Sequence, residues 1–362
     1  MILHRPLLIA RNLLANRDRP NLEALARIED PERFIWEILP HAARTFSAAI
    51  AMLPKKAGLP AAVAYLYCRM LDTYEDLVPD PRTCRAQLIA FGARFRADGT
   101  LGPAPVIRNA SDRDLRDKSH LLLVERAALV DEVFLTFDLP TRGVIADLVR
   151  DMAEGMRWSS ATFAAQGGVL DGEEQLATYC RHVLGNPALF MIRLIRLHNG
   201  EPTSVPSDYR EQIMRVGEMT QLANVTRDVE KDLRRGISYD SALREHLGRE
   251  VQGDAGAMER VREVRRRLLR VALLRVPDYK HVINGMRLPR LSLVRASAII
   301  MLLFTEQYFR RCARRVGLPA WRGPDTAAAI ILRGILAAAS RRRADREMAR
   351  VENAFLECAR VP

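Results

Sequence analysis

Two groups of oxygen-bearing side chains stand out as candidates for metal and phosphate chemistry. Asp72, Glu75 and Asp76 fall at positions i, i+3 and i+4, with Asp80 just beyond Pro79. On a helix these positions share one face, so the carboxylates project together and repel. The repulsion costs a few tenths of a kcal/mol per exposed pair and more where water is excluded, and divalent cations offset it well. Gln221, Asn224, Asp228 and Asp232 follow at steps of three, four and four and form a second polar stripe, while Leu222, Val225 and Val229 occupy another face. Hard oxygen donors at this density suit Mg²⁺, which keeps several waters and is shared between a few carboxylates and a substrate's phosphates. Arg44, Arg69 and Arg227 stand close by in sequence, and guanidinium holds phosphate oxygens bidentately.

Either stripe alone reads as a solvated helix face. The pair says more, because the helix carrying the first has almost no polar face in its first three turns, from Ala61 to Leu71, and should be buried. The natural arrangement is across a cavity, with acids at its mouth and walls made by residues such as Phe46, Tyr65, Leu184, Leu189 and Phe190. A substrate with a diphosphate head and a hydrocarbon tail fits that description.

The elements that position these residues are helices. Apolar residues recur at intervals of three and four over 60–77, 121–134, 144–163, 211–233 and 258–274, without the alternation of strands. The punctuation lies in the polar stretches 98–105, 200–207 and 236–256, none as long as an interdomain linker. The expectation is an all-α chain, a single large helical domain over 1–362, with its motifs in 44–232 and C-terminal helices over 258–362 completing it.

The 362 residues include 56 Lys+Arg and 44 Asp+Glu, a net charge of +12, with 48% hydrophobic residues. That composition is globular. The basic excess fits nucleic acid, anionic lipid or small polyanions. Nucleic acid is disfavoured, since aromatics are only 6%, acids are interspersed with the arginines and no zinc-finger or RNA-binding signature occurs. The five cysteines are odd in number and never in a CxxC pair, as expected of reduced thiols. The run Met1 to Arg11 lacks a cleavage site, and Ala327 to Ala339 is too short to span a bilayer. A cytoplasmic monomer is expected, at most peripheral on the cytoplasmic face of a membrane.

At this point the residues resemble a known family, the head-to-head prenyl synthases that include squalene and phytoene synthases. Arg44-Thr45-Phe46-Ser47 and the helix ending in Arg69-Met70-Leu71-Asp72-Thr73-Tyr74-Glu75-Asp76 resemble its first aspartate-rich region, in wording close to the D-T-x-E-D of eukaryotic-type squalene synthases. Gln221 to Asp232 is similar to the Q-x-x-N-x-x-x-D-x-x-x-D pattern of the second. Tyr179-Cys180-Arg181-His182-Val183-Leu184-Gly185 resembles the family's Y-C-x-x-V-A-G, and Met152 to Met156 its G-M-A helix.

The resemblance implies an isoprenoid-synthase fold with a central cavity. It implies that Asp72, Asp76, Asp228 and Asp232 hold magnesium, supported by Glu75, Gln221 and Asn224, and that Arg44, Arg69 and Arg227 bind diphosphate beside Tyr179. The implied reaction joins two farnesyl diphosphates into presqualene diphosphate and reduces it with NADPH to squalene. Tyr65, Phe46 and Lys118 stand where the squalene synthase branch has residues associated with the reductive half. Rivals are an enzyme that stops at presqualene diphosphate, one that makes phytoene from geranylgeranyl diphosphate, and a non-catalytic relative acting in assembly or at membranes. Two departures are visible. Pro187 should bend or interrupt a helix at the pocket, and 284–300 matches the later squalene synthase region only loosely. The arginine-rich helices around Arg262 to Arg275 and Arg341 to Arg346 are candidates for resting on anionic lipid.

Overall fold

The computed structural model describes residues 19–43, 45–96, 98–107 and 114–361. Met1 to Arg11 and Arg44 lie outside the described residues. Among the described residues the regular elements are all helices, accompanied by two isolated bridges, Phe95 to Leu101 and Val169 to Ser238. The all-α expectation is met. The helices form two compact units, residues 1–157 with 190–204 and residues 158–189 with 205–362.

In the first unit the Lys55–Leu77 helix packs against Pro31–Ala43, Thr45–Met52, Pro81–Ala93, Leu115–Glu125 and Ala127–Leu135. It begins before Pro60, which the sequence pattern took as its start. Pro60 cannot donate to the Lys56 carbonyl, so the helix lacks one backbone bond in its second turn. Beyond it Val63, Leu66, Tyr67, Met70 and Leu71 are completely buried, as the apolar run requires. The Tyr67 hydroxyl donates to Asp131 at 2.8 Å, and its ring stands edge-on to Phe91, Phe95 and Phe134. Arg94 is buried among the same rings, where it pairs with Asp131 and donates to the Gly102 carbonyl at 2.9 Å. The pattern over 121–134 resolves into two helices, because Arg126 leaves helical geometry and its guanidinium donates to the Ile28 carbonyl at 2.5 Å.

The Ser207–Arg234 helix organises the second unit, packing on Ala255–Leu273, Val276–Gly285, Leu293–Arg315 and the turn Arg181–Gly185. The last contact is closest. A Cβ on Gly217 would overlap the Gly185 backbone, and one on Gly185 would lie 2.7 Å from the Met214 sulfur. Gly185 ends a five-residue π-helical segment, in which the Asn186 N–H donates to the Arg181 carbonyl, before the Asn186–His198 helix resumes. Pro187 explains the interruption. Its nitrogen cannot donate to the Val183 carbonyl, and a wider turn before it accommodates the missing bond.

Buried acids fix the remaining helices. Glu218 receives Arg181 at 2.6 Å and Arg275 at 3.4 Å, and Glu306 receives Arg350 at 2.6 and 2.8 Å and the Trp321 indole at 3.0 Å. Arg265 pairs with Glu230 and donates to the Thr226 carbonyl at 2.7 Å. Arg266, Arg267 and Arg270 bond to Val316, Asp240 and Val361. Much of the 262–275 arginine run, read from sequence as a lipid-facing surface, is thus turned to internal bonds. All five cysteines are buried and free, and no described helix is long and apolar enough to cross a membrane.

Gly217→Ala should destabilise the chain by about 1–3 kcal/mol through overpacking against Gly185. Gly143→Ala, on an open helical site with nothing within 4 Å, should be neutral or stabilising by up to about 1 kcal/mol. Urea denaturation of both variants measures the contrast, and equal stabilities would refute the close-contact account.

Candidate active site

The first acidic set lies at the end of the Lys55–Leu77 helix, with Asp72 part-buried and Glu75 and Asp76 exposed. One turn earlier Arg69 reaches Asp72 with Nη1, 2.9 Å from Oδ2, and donates from Nη2 to the Tyr65 hydroxyl at 2.9 Å. The same guanidinium lies 5.8 Å from the centre of the Tyr65 ring, which in turn stacks at 5.6 Å on Phe46. Asp72, Arg69, Tyr65 and Phe46 therefore form one cluster.

Burial pushes the Asp72 carboxyl up to about 6; Arg69 and Arg116 pull it down, and Asp76 pushes it further up. Loss of hydration, more than any neighbouring charge, is what disfavours the ionised carboxylate here. Beside it His120 is only 7% exposed, and burial together with Arg69 and Arg116 holds its imidazole near 3, hence neutral. Its Nε2 has no hydrogen-bond partner.

Arg116 and His120 are one helical turn apart on Leu115–Glu125. Lys118 lies halfway between them, so the 3.6-residue period turns it to the other side, where it is exposed. The structure brings Arg116 and His120, not Lys118, to the Asp72 cluster. Arg44 falls outside the described residues.

In the second unit the Gly185–Gly217 contact sets the phase of the functional side chains. One turn beyond Gly217, the Gln221 amide donates to the Tyr179 hydroxyl at 3.4 Å, and the Asn224 amide donates to Gln221 Oε1 at 3.0 Å. Tyr179 shares a 3.1 Å hydrogen bond with the Tyr239 hydroxyl, their rings 4.9 Å apart and both edged by Phe163. The chain of bonds orients both amides, so the Asn224 carbonyl oxygen is not used within it. Arg227 grips Asp228 bidentately at 2.8 and 2.6 Å and lies 5.2 Å from the centre of the Tyr308 ring. Asp232 is buried and lines a small pocket with Val225, Val229, Tyr239 and Leu243.

The same device thus occurs in each unit: an aspartate of the acidic stripe held by an arginine that is laid against a tyrosine ring. Among the described residues no three His, Cys, Asp or Glu side chains gather as a ready-made metal centre. The donor set still fits magnesium, because its members are oxygens and Mg²⁺ takes only one or two carboxylates when phosphates and water complete its shell. Sequence reasoning missed Arg116, His120, Tyr239 and Tyr308. Tyr239, a lone aromatic in the glycine-dotted stretch 236–256, was the one with a visible signal.

Comparison with known proteins makes the class definite. The chain belongs to the squalene/phytoene synthase family, whose model matches residues 39–323. It is similar to a lycopaoctaene synthase of Botryococcus braunii, 28% identical over 57% of this chain and 43% of that protein. A squalene synthase of the same alga is 28% identical over 57% of this chain and 41% of its own length. The phytoene synthase of Rhodobacter capsulatus is 27% identical over 55% of this chain and 49% of its length. The matched stretch thus spans less than half of each relative. In fold, the chain is similar to TcSQS in complex with the ligand BPH1237, with a TM-score of 0.72 at 17% identity over 92% of this chain and 93% of that one. A dehydrosqualene synthase bound to a ligand gives a TM-score of 0.50 at 16% identity over 90% and 96%.

The raised Asp72 carboxyl predicts a pH dependence. A group whose folded pKa lies above its unfolded value of about 3.8 binds its proton more tightly in the native state, so its contribution to stability falls as pH rises from about 4 to about 6 and is flat above. Asp72→Asn should therefore raise stability at pH 7.5 in metal-free buffer by about 1–3 kcal/mol and have little effect at pH 4. Urea titrations at the two pH values check this, and equal effects at both would contradict it.

Proposed function

We propose that the chain is a magnesium-dependent prenyltransferase that condenses two farnesyl diphosphates head to head into presqualene diphosphate and, with NADPH, reduces that to squalene. The observation that carries this reading is the repeated device of Arg69 on Asp72 and Tyr65, and Arg227 on Asp228 and Tyr308. Each arginine is held charged and oriented by a ring and a carboxylate, ready to take phosphate oxygens. Asp72, Asp76, Asp228 and Asp232, with Glu75, Gln221 and Asn224 in support, would hold the magnesium ions. Magnesium, when bound, neutralises the charge that develops on a leaving diphosphate.

The chain's own residues supply the rest. Arg69 and Arg227 bind the diphosphate as the allylic C–O bond breaks, and the bond electrons leave with its oxygen. The resulting allylic cation is attacked by the double bond of the second substrate, and loss of a proton closes the cyclopropane. Tyr179, held by Gln221 and Tyr239, orients a phosphate oxygen or takes part in that proton transfer. Apolar walls keep out water, which would trap the cation as an alcohol.

The reductive half would use Phe46 and Tyr65, with NADPH supplying the hydride. The exposed position of Lys118, turned away from that cluster, favours a second reading in which the enzyme stops at condensation, giving presqualene diphosphate or, from geranylgeranyl diphosphate, phytoene.

Incubation of the purified chain with farnesyl diphosphate and Mg²⁺, with and without NADPH, and mass spectrometry of the products separates these readings. Squalene formed only with NADPH is the expected result. Asp72→Asn and Asp228→Asn should each lower turnover by about 10³-fold or more with unchanged helical circular dichroism. Wild-type activity in both variants would overturn the assignment.

A further inference from the structure

The Ala327–Ala338 helix is apolar on every side except at Arg333. One face is accounted for: Ile330, Ile331, Gly334 and Ala337 are buried, and a Cβ on Gly334 would overlap Ile300 of the Leu293–Arg315 helix. The opposite face is open. Leu332, Ile335 and Leu336, at i, i+3 and i+4, are 57%, 44% and 42% exposed. The Ser292 amide donates to the Ala338 carbonyl at 3.2 Å, which brings Leu291, 72% exposed, and Leu293 to the end of the same stripe. A surface helix normally turns charged and polar residues to solvent. Clustered aliphatic side chains in their place mark an interaction surface.

The charge around this surface is mainly positive, with Asp345, which also acts on Arg295, and Glu347, paired with Arg333, as acidic neighbours. Residues 285–295 and 326–344 contain no Asp or Glu, while Arg287, Arg290, Arg341, Arg342 and Arg343 are all exposed. The buried Arg295 ties these segments together: it donates to the Pro289 and Arg290 carbonyls at 3.0 Å each, and it feels the positive charge of Arg341. The three arginines at 341–343 are all exposed, at the start of their helix.

We propose that this face docks on an anionic phospholipid bilayer, the leucines and isoleucine entering the boundary between headgroups and acyl chains and the arginines resting on lipid phosphates. Apolar residues flanked by cations are the surface complementary to such a membrane. A second copy of the chain is a poorer fit, because a symmetric contact would set one arginine rim against another. On the function proposed above, docking would also place an apolar phase beside an enzyme that releases a hydrocarbon. The docking itself does not depend on that function and is measured without substrate.

The test is flotation of the purified full chain with vesicles of phosphatidylcholine and phosphatidylglycerol, against vesicles of phosphatidylcholine alone. Wild type should float with the anionic vesicles and be released by high salt. Two triple variants, Leu332→Ser with Ile335→Ser and Leu336→Ser, and Arg341→Gln with Arg342→Gln and Arg343→Gln, should each lose binding by about tenfold or more while keeping wild-type circular dichroism. Absence of flotation, or wild-type flotation of both variants, overturns the proposal. A dimer in size-exclusion chromatography that the serine variant dissociates, without vesicle binding, would assign the face to a second copy instead.

Discussion

A carboxylate withdrawn from water must meet a positive charge or give up its own, and in this chain arginine supplies nearly every such partner. Glu218, Glu230 and Glu306 are pinned by Arg181, Arg265 and Arg350, and Asp131 by Arg94. These pairs lock helices to one another. Asp72 and Asp228 are held by the same chemistry, their arginines laid against the Tyr65 and Tyr308 rings.

That arrangement has a thermodynamic cost at Asp72, whose charge is disfavoured by burial and by Asp76. Residues selected for a ligand-bound state often carry strain when the ligand is absent. The close packing of Gly185 on Gly217 serves the same end from the other direction, because without side chains between them the two segments fix the hydrogen-bonded chain from Asn224 to Tyr239.

Much of this was legible in the residues themselves. Helical periodicity is local, so the all-α class and the two polar stripes followed from spacing, and Pro187 announced an interruption that the π-helical turn delivers. Tyr308 was not legible, and Tyr239 showed only as a lone aromatic whose partner spacing could not name, because each joins the site through tertiary packing across 60 residues or more of chain. On the Leu115–Glu125 helix phase decides the placement: Lys118, two positions from Arg116 and from His120, faces the other way. The arginine run at 262–275 shows a different limit. Charge counted along a sequence says nothing of its partner, and there the partners were internal carboxylates and carbonyls. The 341–343 run looks similar on paper, and all three of its arginines are exposed, whereas the 262–275 run mixes buried and exposed ones.

The five thiols, all buried, have a use that their chemistry alone does not suggest. Burial pushes the Cys84 and Cys312 thiols up to about 11, and Cys68, Cys180 and Cys358 also upward, so none carries appreciable thiolate at neutral pH while the fold is closed. Alkylation in native buffer must wait for local opening. Cys68 and Cys84 lie in the first unit and Cys180, Cys312 and Cys358 in the second. The chain therefore carries its own reporters of breathing motion, distributed so that mass-resolved labelling rates can tell which unit opens first and whether a bound ligand slows one or both.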